Sequence, residues 1–325
     1  MRIGILGAGH IAGKVSGTLK QMREVRCYAV AARDLWRAEA FAGEHGFDKA
    51  YGSYEELVSD PDVDLVYVAT PHSHHYPHVK LALEHGKNVL CEKSFMMNAR
   101  EAEELTALAR ARNVLLAEAI WTRYMPFSKT IREVIDSGVI GHARMLSANL
   151  GYAVDWKERL IRPELGGGAL LDLGVYCLNF AMMAFGSDIA DIKTACVKNE
   201  FGVDMQETIA LFYGDGRIAN LHATAWCATD RQGVISGDKG CLIVDNINNP
   251  RSAYAVDRYG SVLGRYEAPP CISGFEYEFL ACKKAIEAGR CETEEMPHAE
   301  SVKVMRLMDG LRAEWGVRFP GDGPV

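Results

Sequence analysis

The sequence predicts an α/β protein, a doubly wound parallel sheet followed by an α+β domain with a largely antiparallel open sheet. Three observations carry this. Short apolar runs alternate with helical stretches up to about residue 121, the pattern of strand–helix–strand units. From Ile189 to Tyr266 the runs are mostly strand-like and are separated by turns such as Tyr213-Gly214-Asp215-Gly216 and Ser236-Gly237-Asp238-Lys239-Gly240. A glycine turn, Gly7-Ala8-Gly9, joins the first apolar run to the first helix. The expected division is therefore residues 1–121 and residues 122–325.

The first strand, Ile3 to Leu6, enters that turn, and a helix follows through Lys20. Gly7 suits a tight turn, and Gly9 lets a backbone approach a pyrophosphate closely. N–H groups at the helix start, around His10 and Ile11, would point at the anion. Ala12 stands at the third glycine position, where a methyl still permits close helix–strand packing. A strand before, a helix after and a second strand about 20 residues on make this a dinucleotide-binding (Rossmann) pattern rather than a bare turn.

Val25 to Ala31 reads as the second strand, and Asp34 is placed to cap a helix from Leu35 to about His45. Ala32 occupies the strand end where an acidic residue would hold a ribose 2′-hydroxyl, and Arg33 beside it suits a 2′-phosphate. That favours NADP over NAD. The alternative leaves Arg33 solvated and gives the ribose hydroxyls to Asp34.

Ser53 and Glu56 form a capping-box pattern, and Asp64 to Ala69 is another buried strand. Thr70-Pro71 then turns the chain into His72-Ser73-His74-His75-Tyr76-Pro77-His78. The histidine spacing invites a metal reading. No carboxylate or cysteine completes a ligand set, so the histidines read as polar residues lining a strand end beside a cofactor, and no metal is expected. Asn88 to Cys91 is the next strand, ending in Glu92-Lys93-Ser94. Asn98 caps a helix to about Arg112, and Val114 to Glu118 closes this half.

Beyond it come a helix from about Phe127 to Ser137 and a strand near His142 to Leu150. The run Gly166-Gly167-Gly168 precedes an apolar helix from Ala169 to about Phe185. After the strand-rich stretch, two helices end the chain, about Phe275 to Ala288 and Ala299 to Trp315. Asp172, Tyr176 and Asn179 stand at i, i+4 and i+7, on one face of the apolar helix. Polar groups on so apolar a helix need partners.

The totals limit what the chain can do. At 325 residues it is long enough for two cores, with 48% hydrophobic and 24% charged residues, ordinary for a globular protein. A net charge of −7 argues against nucleic acid. No apolar run approaches membrane-spanning length, and no leader is recognisable. Nine scattered cysteines without C-x-x-C spacing fit reduced thiols. A cytoplasmic protein is the expectation.

In order and spacing these pieces resemble the glucose–fructose oxidoreductase and inositol dehydrogenase (Gfo/Idh/MocA) family, most of all its dimeric dihydrodiol dehydrogenase and D-xylose dehydrogenase branch. The likeness runs through the glycine turn, Ala31-Ala32-Arg33-Asp34, Thr70-Pro71 with His75, and Cys91-Glu92-Lys93. It continues through Glu118-Ala119-Ile120-Trp121-Thr122-Arg123-Tyr124 with Pro126, Gly166 to Tyr176, and Met296-Pro297.

The resemblance implies an enzyme that transfers a hydride between NADP(H) and a sugar or vicinal-diol carbinol. It implies Lys93 as catalytic lysine, polarising the oxygen, Tyr176 as the proton-transferring group and Asp172 orienting both. Trp121 and Arg123 would border nicotinamide or substrate, and Asn179 stands where inositol-type relatives carry histidine. The family pattern has proline where Ser94 stands and asparagine where His72 stands. A homodimer formed through the open sheet face is also implied. Two rivals remain: a lyase or glycosidase that retains its nicotinamide, oxidises transiently and needs the same residues, and a non-catalytic NADP(H)-binding redox sensor, against which the presence of the lysine, aspartate and tyrosine together weighs.

Overall fold

A computed structural model describes residues 1–322; residues 323–325 of the expected second domain lie outside the described residues. The chain forms two units, one of residues 1–124 with 271–305 and one of 125–270 with 306 onward. This differs from the expected division, which placed everything after residue 121 in the second domain. The segment 271–305 is drawn back to the first unit by long-range pairing: the Leu116 N–H donates to the Cys291 carbonyl at 3.0 Å. His298 Nε2 lies 2.8 Å from the Leu116 carbonyl oxygen.

In the first unit the order is β1 (Arg2–Leu6), α1 (His10–Leu19), β2 (Arg26–Ala31), α2 (Leu35–His45), β3 (Lys49–Tyr51), α3 (Tyr54–Ser59), β4 (Leu65–Val68), α4 (His75–Glu84), β5 (Asn88–Glu92), α5 (Ala99–Arg112) and β6 (Leu116–Ala119). The six strands pair in parallel in the order β3-β2-β1-β4-β5-β6. Ile3, Ile5, Leu65 and Tyr67 are fully buried, as strands covered on both faces require. The short edge strand β3 is an element that periodicity does not predict, because three residues carry no pattern.

Local signals start several helices. Ser53 and Glu56 make the full capping box of α3, and the Asn98 side chain accepts the Glu101 N–H at the start of α5. Asp34 sits at the N-cap of α2 but its carboxylate makes no capping bond.

The second unit holds α6 (Pro126–Asp136), β7 (Ala143–Gly151), α7 (Glu158–Ile161), α8 (Val175–Phe185) and β8 to β14. These strands are Ile189–Lys198, Asp204–Tyr213, Ile218–Thr224, Gly233–Gly237, Gly240–Val244, Ser252–Asp257 and Val262–Glu267. They form one sheet in the order β14-β13-β12-β11-β7-β10-β9-β8, antiparallel except for the β7–β10 pair. Along β7, Leu146, Ala148 and Leu150 are buried while Met145 and Ser147 are exposed, so one face is covered and the other open. Helix α8 packs on β7 and β10. Two further helices close the chain, α9 (Glu276–Glu287) in the first unit and α10 (His298–Trp315), which contributes to both.

Two expectations change here. The helix expected from Ala169 begins as a π-helical turn, Leu170–Gly174, before α8 proper. With that turn, Pro163–Phe185 is a 23-residue helical run long and apolar enough by composition to span a membrane, contrary to the sequence expectation. Most of it is buried within the protein, as a core helix would be.

Candidate functional site

A parallel sheet puts every strand's carboxyl end on the same edge, and strand order reverses between β1 and β4, the switch point where such sheets bind ligands. The loops after β1, β2, β4, β5 and β6 carry all the first-half candidates.

After β1, Gly7 has φ +103° and its N–H donates to the Ala31 carbonyl at 3.0 Å. A Cβ there would lie 3.0 Å from the Ala69 carbonyl oxygen, so only glycine threads the turn between β2 and β4. Gly9 is the N-cap of α1, with no side-chain cap, and a Cβ on it would meet nothing within 4 Å. The helix therefore presents its first N–H groups, with exposed His10 and half-buried Ile11, towards open space. That arrangement fits a pyrophosphate.

After β2, Ala32 is buried while Arg33 and Asp34 are exposed. Without a capping bond, the Asp34 carboxylate has not been committed to the helix. Arg37, one turn further along α2, is also exposed. Both guanidiniums bear electrostatically on the Tyr54 hydroxyl, whose pKa burial raises and they partly lower. Arg37 is a candidate the sequence reading missed; its signal is an i, i+4 spacing from Arg33.

After β4, Thr70 is half-buried and Pro71 exposed. His75 is 1% exposed. Its Nε2 lies 2.9 Å from the Thr70 carbonyl oxygen and its Nδ1 2.9 Å from that of Ser94. His75 thus ties the β4 and β5 loops from beneath, and burial lowers its pKa. His72, also buried, places Nε2 3.2 Å from the Lys93 carbonyl oxygen. His78 Nδ1 lies 3.0 Å from Thr70 Oγ1, and burial pushes its pKa down to about 4. Among the described residues no three His, Cys, Asp or Glu side chains group to hold a metal ion.

After β5 stands half-buried Lys93, whose peptide bond to Ser94 is cis. Buried Glu92 accepts the Tyr67 hydroxyl on one oxygen and the Lys93 backbone N–H at 3.2 Å on the other. After β6, Trp121 stacks on Phe275 with ring centroids 4.6 Å apart, and Arg123 Nε reaches the Glu295 carbonyl at 3.4 Å. Phe275 belongs to the returning segment, held by the Glu276 carboxylate, which accepts the N–H groups of Ile272, Ser273 and Gly274. These residues were not singled out in the sequence, because nothing local shows that residues 271–275 return to this unit.

Glu118, at the end of β6, is 2% exposed, and burial pushes its carboxyl up to about 7 against the opposing pull of Ser301 and Arg123. The folded chain holds this proton more tightly than the unfolded chain, whose value is 4.5. Its contribution to stability is full below pH about 4.5 and is lost as pH rises to about 7. Glu118→Gln should leave the unfolding free energy unchanged at pH 4 and raise it at pH 8 by an amount on the order of 1–3 kcal/mol. An equal shift at both pH values would attribute the effect to packing instead.

In the second unit Asp172 lies inside the π-turn and Tyr176 just beyond it, 6% and 7% exposed. The wide turn alters the simple helical-face relation expected between them. Asp172 receives a two-pronged ion pair from Arg159, Nη1 to Oδ1 at 3.0 Å and Nη2 to Oδ2 at 3.3 Å. Asn179 is 2% exposed and its amide donates to the Val175 carbonyl of its own helix at 2.9 Å. Its Oδ1 is buried without a hydrogen-bond partner among the described residues.

The comparisons agree with this geometry. Residues 1–119 match the model of an oxidoreductase family with an NAD-binding Rossmann fold, and residues 128–243 match the GFO/IDH/MocA C-terminal domain. The trans-1,2-dihydrobenzene-1,2-diol dehydrogenase of Mus musculus is 36% identical over 339 residues, covering 99% of each chain. The human enzyme of that name is 34% identical over 337 residues, again covering 99% of each. Among solved structures, a 3-ketoreductase from Actinomadura kijaniata in complex with NADP and TDP-benzene superposes with TM-score 0.89 at 26% identity, covering 96% of this chain and 97% of that one. The aldose–aldose oxidoreductase of Caulobacter crescentus shares the fold with TM-score 0.87 at 22% identity, covering 97% of both. The chain belongs to the GFO/IDH/MocA family of NAD(P)-binding oxidoreductases.

Proposed function

We propose that this oxidoreductase uses NADP(H) to transfer a hydride to and from a carbinol of a vicinal diol or sugar. The observation that carries it is the single sheet edge on which the glycine turn, Arg33 and Lys93 all stand, in a chain whose full-length relatives are dihydrodiol dehydrogenases. The nicotinamide supplies a two-electron acceptor and donor. The α1 N-terminus would hold the pyrophosphate, and Arg33 with Arg37 would hold the 2′-phosphate. Glu92 fixes the Lys93 backbone, while His75 fixes the loop after it.

In the oxidative direction the carbinol oxygen must lose a proton as its carbon loses a hydride. The Lys93 ammonium stabilises the developing alkoxide, and Tyr176, as its phenolate, accepts the carbinol proton; in reduction its hydroxyl gives the proton back. Asp172 accepts a hydrogen bond from the substrate. The same reading includes a cytoplasmic setting and a homodimer joined through the open face of the second sheet, where Met145 and Tyr254 are exposed apolar residues.

A panel of aldoses, inositols and dihydrodiols with NADP and NAD in parallel tests it. Reduction of NADP by a vicinal diol or aldose is the expected result. Product without net change in nicotinamide absorbance would select the cofactor-retaining lyase or glycosidase. NADPH-dependent assembly without turnover of any compound would select the redox sensor.

A further inference from the structure

Strand β9 carries an acid where its pattern calls for an apolar residue. Met205, Ile209 and Leu211 alternate into the core, and Glu207 stands among them, equally buried. Neither of its carboxyl oxygens has a hydrogen-bond partner among the described residues. Burial, helped by neighbouring Asp204, pushes its pKa well above the usual carboxylate range, so it stands as an uncharged acid. Burying such a group without a partner costs stability that an apolar side chain of the same size would not. It lies against Gly174, where a Cβ would be 2.7 Å from its Oε1. Gly174 has helical torsions (φ −58°, ψ −33°) that any residue adopts, so glycine is needed there for room rather than for conformation.

Gly174 closes the π-turn, and Asp204 opens it. The buried Asp204 carboxylate accepts the Leu170 N–H at 2.6 Å, and Gly168, at φ +120°, has no room for a Cβ beside that carboxylate. Between these two points the Val175 N–H reaches back five residues to the Leu170 carbonyl. So wide a turn is a rare helical state, and an apolar segment has nothing of its own to keep it from rewinding as α-helix. Rewinding would turn the chain before Gly174 by about 100° about the helix axis, and Asp172 would lose its place relative to Tyr176.

We propose that Asp204 and Glu207 are positioning residues, a clamp on β9 that seats both ends of the π-turn and so sets where Asp172 and Tyr176 stand. This rests on the reading above that those two side chains act on substrate. Asp204 works through its hydrogen bond to Leu170, and Glu207 through its fit against Gly174. Asp204→Asn keeps an acceptor oxygen, and Glu207→Gln keeps the shape of the uncharged acid. Alanine at either position removes the contact.

The test measures kcat and KM for oxidation of a vicinal diol by NADP, and amide hydrogen exchange by mass spectrometry, on the full chain. Asp204→Ala and Glu207→Ala should each lower kcat at least roughly tenfold while KM for NADP stays within about threefold. Exchange should quicken across residues 170–175 and not across 178–185. Asp204→Asn and Glu207→Gln should keep kcat within about threefold of wild type. Gly174→Ala should lower kcat as the alanine variants do, and adding Glu207→Asp, which draws the oxygen back, should recover most of the loss. Asn and Gln variants as impaired as the alanine ones would overturn the proposal, and so would alanine variants with wild-type kcat. Exchange rising alike along the whole of α8 would mark a merely structural role. Should the alanine variants fail to fold, a Gly174→Ala loss that Glu207→Asp leaves untouched overturns the clamp. A local exchange response in a protein that oxidises no diol or aldose would sink the hydride-transfer reading and leave the clamp standing; turnover by wild type with no such response would sink the clamp alone.

Discussion

Replacing Lys93 with methionine lowers kcat for oxidation of a vicinal diol by about two to four orders of magnitude, and Tyr176→Phe does the same, while the Kd for NADP stays within a few-fold of wild type. The split follows from where each group stands. In the proposed arrangement the backbone N–H groups of the α1 N-terminus would hold the pyrophosphate, and neither side chain would contribute to that. Lys93→Met keeps an unbranched apolar stem and removes the charge; Tyr176→Phe removes one hydroxyl from a buried position. A drop confined to KM would assign both residues to substrate binding. Near-normal turnover in both would remove the proposed chemistry.

The second large effect concerns the cofactor. Arg33→Ala and Arg37→Ala each lower kcat/KM for NADP by roughly 10- to 100-fold, the value of a charge-assisted hydrogen bond of about 1.5–3 kcal/mol, with little change for NAD. The reason is local. Both guanidiniums are exposed, both bear on Tyr54, and the Asp34 carboxylate between them makes no capping bond. Were Asp34 to take the ribose hydroxyls instead, wild type would prefer NAD and neither arginine variant would alter the ratio. Initial rates with the two nucleotides decide this.

What could be read from the sequence follows a physical divide. Most signals carried by residues within one turn of each other are legible, the Asp34 cap, which makes no capping bond, and the Arg33–Arg37 spacing being exceptions. The Ser53–Glu56 box, the Asn98 cap, the buried run of β4 and the glycine turn at Gly7 all lie where the pattern puts them. Helices α9 and α10 are legible as helices, but the allegiance of α9 and of the start of α10 to the first unit is not, since it depends on the pairing of Leu116 with Cys291 and His298 across more than 170 residues.

The π-turn at Leu170–Gly174 is invisible for another reason. An apolar stretch that is buried all round has no polar face by which to detect one extra residue. Arg159 escapes notice because α7 is too short for periodicity and its partner is 13 positions away. The Gly166–Gly168 run is conspicuous in the sequence, yet its purpose becomes clear only from the Leu160 and Arg162 carbonyls packed against it.

Hydride transfer is tested most directly with a vicinal diol deuterated at the carbinol carbon, incubated with this protein and NADP. The account predicts net formation of reduced nucleotide one mass unit heavier, in step with ketone. Ketone-free product with the nucleotide still oxidised at the end of the reaction, or reduced nucleotide carrying no deuterium, would contradict it.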